Sequence, residues 1–504
     1  TKTDQQRILC FFVASRPRLG TMTDTSNGTA LPQPSAPATD SSAPGNRSVG
    51  PWDRVSAPAG TFETVRQGGV VKAWGIRYAR AERFGAPIAY AYTEPFTADT
   101  PAPACPQRFD ETDLELQRLG FDEHCQRLTV TRPENRRSGL PVMVWIHGGS
   151  YIGGAGDLPH YDPTVLVQEQ DLVVVNVTYR LGLFGYLGDG RTREANPGLL
   201  DQVEAIKWVH QNIEAFGGDP DRITIAGQSA GGHACWDLLM VPEIRGMIRR
   251  AIPQSAPLGI VHGRRRAWNA ITPGPEKTGR MRQATTTELA EAESVINRKA
   301  ALHGRAALMP FSPRYGQRPL PPEKLLKKRW KELAGKVDVL MGTTAREAAL
   351  YTGRVPLLKV LAGFRRGRQG IVEPIVRAAT QIVYAVDNAI WAQRLANAGG
   401  RAGLYRFVFG KPDAALACCH IAELPLLFPG TSWTESGENA GAGVTGPDLM
   451  ETFDPDALDD AGRALRATWA GFVRDGFDSK DVRAIPDVLE LLPPRTPRRK
   501  RGRN

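Results

Sequence analysis

The chain has 504 residues, is 41% hydrophobic, and carries 64 Lys+Arg against 53 Asp+Glu for a net charge of +11. That length supports one large core or a few ordinary domains, and 52 glycines with 39 prolines imply many loops. The six cysteines lack the paired spacings of zinc or iron–sulfur sites and are too sparse for a disulfide scaffold, so no metal and no cofactor is expected.

In chain order, the apolar run ILCFFVA (8–14) is too short to cross a bilayer and lacks a clean signal-cleavage site. With a natural start at Met22, residues 1–58 read as a disordered or mis-annotated leader rich in Ser, Thr, Ala, Pro and Gly, and the compact fold is expected to begin near Thr61. VMVWI (142–146), LVVVNVTY (172–179), ITIA (223–226), VDVLM (337–341) and LYRFVF (404–409) read as strands apolar on both faces. LLDQVEAIKWVHQNIEAF (199–216) repeats apolar positions at helical spacing, and AGGHACWDLLM (230–240) suits a helix directly after a strand. Strands alternating with helices imply an α/β protein with a mostly parallel central sheet flanked by helices, whose sites form at the carboxyl ends of the strands. Residues 262–330 break this rhythm, with a charged helical stretch at 285–303, and read as a variable cap or pocket wall. Residues 430–447 read as a long loop, 457–476 as an amphipathic helix, and 491–504 as a basic disordered tail. The basic blocks at 324–331, 364–368 and 495–504 come without a nucleic-acid-binding motif, so they read as solvated surface and no nucleic-acid partner is expected.

Ser229 sits in GQSAG (227–231), the G-x-S-x-G pattern of a nucleophile on a sharp strand-to-helix turn. Glycine two positions either side removes the Cβ that close strand–helix packing would exclude. The free N–H groups at the start of the helix favour developing negative charge. Serine needs a neutral histidine as base and a carboxylate to orient it. Of eight histidines, His210 and His233 lie in helical patterns, and His147 opens a glycine loop, where a structural role fits. His124, His160, His262 and His303 have no companion group, while His420 follows a strand and comes last in the order nucleophile, acid, base. Glu347 follows the strand VDVLM and is the candidate acid, with Asp338 and Asp387 as rivals. HGGS (147–150) and the N–H of Ala230 can supply donors to an oxyanion.

Taken together these stretches resemble the type-B carboxylesterase family of α/β-hydrolases, which includes cholinesterases and bacterial carboxylesterases. The resemblance is carried by VMVWIHGGSYIGG (142–154), by NPGLLDQVEAIKWVHQNIEAFGGDPDRITIAGQSAGG (196–232), by GTTAREA and by HIAELPLLF (420–428). It implies an α/β-hydrolase fold over residues 59–490 with cap-like insertions. It also implies Ser229, Glu347 and His420 as the triad, and Gly149, Ser150 and Ala230 as oxyanion donors. Gly148 would shape the turn, Gln228 would flank the nucleophile, and Ser255 would hydrogen-bond near acid and base. It implies a disulfide between Cys105 and Cys125 with an Arg83–Glu123 ion pair beside it. The expected activity is serine hydrolysis of small to medium carboxylic esters through an acyl-enzyme. Amide or carbamate hydrolysis with the same residues, and a catalytically inactive interaction protein, are the alternatives. Gln228 stands where cholinesterases carry glutamate, which disfavours cationic choline esters, and FSPRYGQRPLP (311–321) lacks the family's usual Asp-Gly, implying a remodelled acyl pocket. A cytoplasmic location is expected, with secretion the alternative if the cysteine pair is oxidised.

Overall fold

The computed structural model describes residues 53–108, 113–135, 137–435 and 444–492. Its frame is a sheet of eleven strands in one path: β1 (Asp53–Ala57), β2 (Gly60–Gln67), β3 (Val70–Arg77), β4 (Arg127–Pro133), β5 (Leu140–Ile146), β6 (Val173–Thr178), β7 (Gly218–Gln228), β8 (Arg250–Gln254), β9 (Asp338–Thr344), β10 (Ala402–Phe407) and β11 (Leu489–Leu492). The spatial order is β1-β2-β3-β4-β6-β5-β7-β8-β9-β10-β11, with a short strand at Phe96–Ala98 pairing off the path to β2. From β6 to β10 every pairing is parallel, whereas the pairings among β1–β4, of β4 with β6, and of β10 with β11 are antiparallel. The chain has the α/β-hydrolase architecture, with its parallel half central and its antiparallel strands at the margins.

The apolar runs form strands because both faces of the sheet are covered. Along β5, β6 and β7, Val142, Val144, Ile146, Val173, Val175, Val177, Ile223 and Ile225 join one core. Their alternate neighbours Met143, Trp145, Val174 and Ala226 join the other. This two-residue alternation between two dry layers explains why no polar face is visible in these segments. Helix α1 (Pro197–Asn212) packs on the first layer, α2 (Ala230–Leu238) leaves the end of β7, and α4 (Pro455–Asp475) covers the second layer.

Three sequence-derived boundaries need correction. The fold begins before Thr61: β1 occupies part of the expected leader, because Val55 buries its side chain and pairs with Phe62, and the Ala59 N–H donates to Asn212 Oδ1 at 2.7 Å. The sheet also runs to Leu492, past the expected end at 490, and the rest of the leader and tail lies outside the described residues. The expected loop at 430–447 contains the helical turns Ser432–Glu435 and Gly446–Met450, the latter capped by Thr445 and Asp448. Residues 262–330 are helical up to Leu308 and again from Glu323, centred on α3 (Thr286–Ala300) with a Thr285–Glu288 capping box. Glu293 of α3 docks on the body by accepting the Leu183 N–H at 2.7 Å. Among the described residues no helix is long and apolar enough to cross a membrane.

One buried ion pair ties the segment after β6 to α1. Arg180 Nε and Nη2 donate to the two Asp201 oxygens at 2.8 and 2.7 Å, and both side chains are nearly inaccessible. Removing one partner strands a charge in the interior. Asp201→Ala is therefore expected to lower the unfolding free energy by about 3–5 kcal/mol, measurable as a reduced urea midpoint.

Candidate active site

β7 ends at Gln228, and Ser229 takes φ 58°, ψ −119° before α2 begins at Ala230. A non-glycine residue there costs about 1–3 kcal/mol and persists only where its surroundings enforce it. The enforcement is steric and hydrogen-bonded. A Cβ on Gly231 would sit 2.0 Å from the Ile146 carbonyl oxygen, and one on Gly227 2.5 Å from the same atom. The Ser229 N–H donates to the Gln254 carbonyl at 2.9 Å, which ties the turn to the end of β8. The hydroxyl-bearing residue is 8% exposed at the carboxyl edge of the parallel strands.

The loop after β5 folds over this turn. Gly148 approaches so closely that a Cβ would lie 2.8 Å from the Gln228 carbonyl oxygen and 3.3 Å from Ser229 Cβ. Gly149, Ser150 and Tyr151 all have positive φ (101°, 56° and 63°), so the loop coils tightly and its 152 and 153 N–H groups bond back to the Gly149 carbonyl at 3.0 and 3.1 Å. No acceptor claims the N–H groups of Gly149, Ser150 and Ala230 in the hydrogen-bond network of the described residues. His147 serves the loop structurally. Its Nδ1 lies 2.8 Å from the Gly148 carbonyl, its ring stacks on Tyr179, and burial pulls its pKa down to about 4.

Glu347 and His420 come from the segments after β9 and β10. Glu347 is fully buried and not a surface carboxylate: Oε1 accepts the Thr344 N–H at 2.8 Å, and Oε2 lies 2.5 Å from His420 Nδ1. The rival acids sit elsewhere. Asp338 is in β9 facing Arg401, and Asp387 is on a helix. With Nδ1 carrying the proton toward the carboxylate, His420 Nε2 is left as a lone-pair acceptor. That nitrogen lies 3.2 Å from Gln228 Nε2, on the residue immediately before Ser229. No hydrogen bond joins Ser229 Oγ to His420 among the described residues. Ser255 is buried at φ 48°, with its N–H on the Gly342 carbonyl and its Oγ unpartnered.

Several supports were not singled out from sequence. Arg346 pairs with Glu373 and donates through Nη1 to the carbonyls of Ala414, Ala415 and Ala417 at 3.2, 3.1 and 2.9 Å, holding the loop that presents His420. Tyr384 and Tyr351 lie against the imidazole with ring centroids 5.1 and 5.9 Å away. Glu423, inside the quoted HIAEL stretch, is fully buried near Glu347 and accepts from Gln254 Nε2 at 3.4 Å. Arg83 and Glu123 pair as expected, with Nε 2.8 Å from Oε2. Cys105 and Cys125, expected as a disulfide, are instead free buried cysteines, and Cys105 Sγ accepts the Leu181 N–H at 3.2 Å. The described residues contain no cluster of His, Cys, Asp and Glu suited to a metal.

The carboxylesterase family profile matches residues 59–357, more than half of the chain. The chain belongs to the carboxylesterase family. A probable N-octanoylanthranilate hydrolase of Rhodococcus erythropolis is 34% identical over 441 residues, covering 84% of this carboxylesterase and 93% of that protein. Para-nitrobenzyl esterase of Bacillus subtilis strain 168 is 40% identical over 210 residues, 40% of this chain and 43% of its own. A solved PNB esterase structure superposes with a TM-score of 0.66 at 25% identity, covering 84% of this chain and 90% of that one. This carboxylesterase-family chain is thus a hydrolase of the carboxylic ester class.

Glu423 gives the site a pH signature. Burial, then the neighbouring Glu347 charge, raise its pKa from 4.5 to about 7. The folded state therefore holds a proton that the unfolded chain releases near 4.5, so the stability linked to this group is full below that pH and is lost as pH rises through about 7. Glu423→Gln is expected to flatten this component. Urea unfolding from pH 4.5 to 8 should show wild type losing stability relative to the variant across that window.

Proposed function

We propose that the protein is a serine esterase that hydrolyses small to medium carboxylic esters through an acyl-enzyme. Ser229 is the nucleophile, His420 the general base and then acid, and Glu347 the carboxylate that fixes the imidazole tautomer and stabilises the imidazolium. The observation that carries this reading is the 2.5 Å Glu347–His420 contact, which leaves Nε2 directed at the turn bearing Ser229.

Substrate enters with its carbonyl oxygen toward the N–H groups of Gly149, Ser150 and Ala230. As Ser229 Oγ attacks, its proton passes to His420 Nε2, whose Gln228 amide contact yields to the hydroxyl. The tetrahedral oxyanion is held by the three backbone donors, in surroundings where such donors are worth roughly 3–4 kcal/mol each. His420 returns the proton to the departing alcohol oxygen as the C–O bond breaks. A water then delivers its proton to the same nitrogen and its oxygen to the acyl carbon, releasing the acid and restoring Ser229. Gln228 is neutral and buried beside the base, which gives the site no anionic anchor for a cationic alcohol group and supports uncharged esters.

Amide hydrolysis is the second reading, favoured by the R. erythropolis relative, whose name specifies an N-acyl substrate and which aligns over most of the chain. The chemistry differs only in the leaving group, which His420 must protonate earlier.

Ser229→Ala is expected to abolish turnover of p-nitrophenyl acetate, by at least about 10⁴-fold, with an unchanged melting temperature. A fluorophosphonate should label Ser229 stoichiometrically in wild type. Comparing p-nitrophenyl octanoate with N-octanoylanthranilate separates the two readings. Ester turnover exceeding amide turnover by more than about 100-fold supports the esterase, and parity supports the amidase.

A further inference from the structure

The coil at 149–151 raises a question that the three catalytic side chains leave open. Ser150 and Tyr151 are not glycines, yet both hold left-handed backbone geometry, at φ 56° and 63°. Each costs about 1–3 kcal/mol, so the loop that offers the Ser150 N–H must be held from outside. Tyr151 is the hold. It is fully buried, its carbonyl accepts the Gly182 N–H at 2.7 Å, and its ring meets Tyr186 edge-on at 4.9 Å. Its hydroxyl lies 2.8 Å from Nδ1 of His233.

His233 stands on α2 one turn after the nucleophile, and its N–H donates to the Ser229 carbonyl at 2.9 Å. Its other ring nitrogen, Nε2, is 3.0 Å from the Tyr315 hydroxyl and 3.4 Å from Asp237 Oδ2. Tyr315 belongs to the cap segment and is itself stacked on His262. Tyr151 and His233 are completely inaccessible, and burial, with His262 and Arg264 nearby, pulls His233 well below the usual histidine range. A neutral imidazole has one donor and one acceptor nitrogen, which two tyrosine hydroxyls satisfy together.

We propose that Tyr151, His233 and Tyr315 form a hydrogen-bonded relay that fixes the Ser150 amide in register with the Ala230 amide. Tyr151 and His233 are then positioning residues of the oxyanion hole, and Tyr315 connects that hole to the cap. The relay joins the two halves of the donor set. Tyr151 adjoins Ser150 in the loop, while His233 shares with Ala230 the first turns of α2. Neither side chain touches the reacting atoms. Loss of the link lets the loop relax toward ordinary backbone angles and turns the Ser150 N–H away, which weakens the transition state more than the ground state. This inference rests on the oxyanion assignment made above.

The test uses Tyr151→Phe, His233→Ala, His233→Gln and the wild-type chain. Tyr151→Phe deletes one oxygen and keeps the ring packing, and glutamine at 233 retains an acceptor and a donor. Turnover of p-nitrophenyl acetate is measured alongside inhibition by an aryl trifluoromethyl ketone, whose hemiketal oxyanion needs the same donors. Tyr151→Phe and His233→Ala are expected to lower kcat roughly 10- to 100-fold with KM within about threefold, to weaken the ketone by a similar factor, and His233→Gln to recover most of both. If His233→Ala does not fold, Tyr151→Phe and His233→Gln decide. A Tyr151→Phe enzyme that keeps kcat and ketone affinity within twofold of wild type, or that changes KM alone, overturns the relay. Stoichiometric fluorophosphonate labelling of Ser229 in the same wild-type preparation separates that result from failure of the esterase reading, which would leave Ser229 unlabelled.

Discussion

The closeness of two backbones governs this molecule. The carbonyl oxygen of Ile146, at the end of β5, occupies the space where a side chain on Gly227 or Gly231 would begin, and the Gln228 carbonyl does the same opposite Gly148. The end of β5 and the start of α2 are therefore in contact through main chain alone. That contact forces Ser229 into its strained conformation and stacks the loop 147–151 over it. A site assembled this way gains precision because nothing flexible separates its parts. It follows that the serine and the three unclaimed amides are one rigid object, while Glu347 and His420 are delivered to it by longer segments.

This division explains what was legible in the sequence. Wherever function depends on local steric demand, the residues show it. GQSAG and HGG are readable because only glycine fits, and β5, β6 and β7 are readable because both faces are buried in separate cores. Glu347 and His420 could be placed by chain order and by their position after strands, and the contact between them follows from the adjacency of β9 and β10. Less was readable where partners are distant and chemically ordinary. His233 looked like any helical histidine, since its meaning depends on Tyr151 and Tyr315, each 82 positions away. The strand at Asp53–Ala57 was hidden in a stretch of turn-forming residues, because what orders it is pairing with β2 and a bond to Asn212.

Charge is distributed in the opposite sense from the overall composition. The chain is strongly basic, yet carboxyls are buried around His420: Glu347 touches it and Glu423 lies close behind. A low-dielectric pocket with two carboxyls cannot easily hold both ionised, and it is Glu423 that burial and its neighbour push up. With the second carboxyl pushed toward its neutral form, Glu347 is the carboxyl in direct contact with His420. The two other histidines near the loop, His147 and His233, are pulled in the neutral direction by burial, so neither adds a competing cation.

The segment linking Glu347 to His420 shows how a single cation can substitute for sequence proximity. Arg346 immediately precedes Glu347, and its guanidinium grips three carbonyls between Ala414 and Ala417, while its own N–H donates to the Cys418 carbonyl at 3.0 Å. The His420 N–H in turn donates to the Glu347 carbonyl at 3.3 Å. The loop bearing the imidazole is thus bonded to the residue before the carboxylate and to the carboxylate's own backbone. Glu373 supplies the balancing charge, so the guanidinium is not left uncompensated where it is partly buried. Because a planar five-donor group can bond several carbonyls while pairing with a carboxylate, lysine could not replace it here. Strained residues at Cys418 (φ 52°) and Ile421 (φ 80°) flank His420, and this grip is what offsets their cost. His420 is consequently positioned by Arg346 and Glu347 together, which makes that pair a structural unit and leaves His420 only its ring to orient.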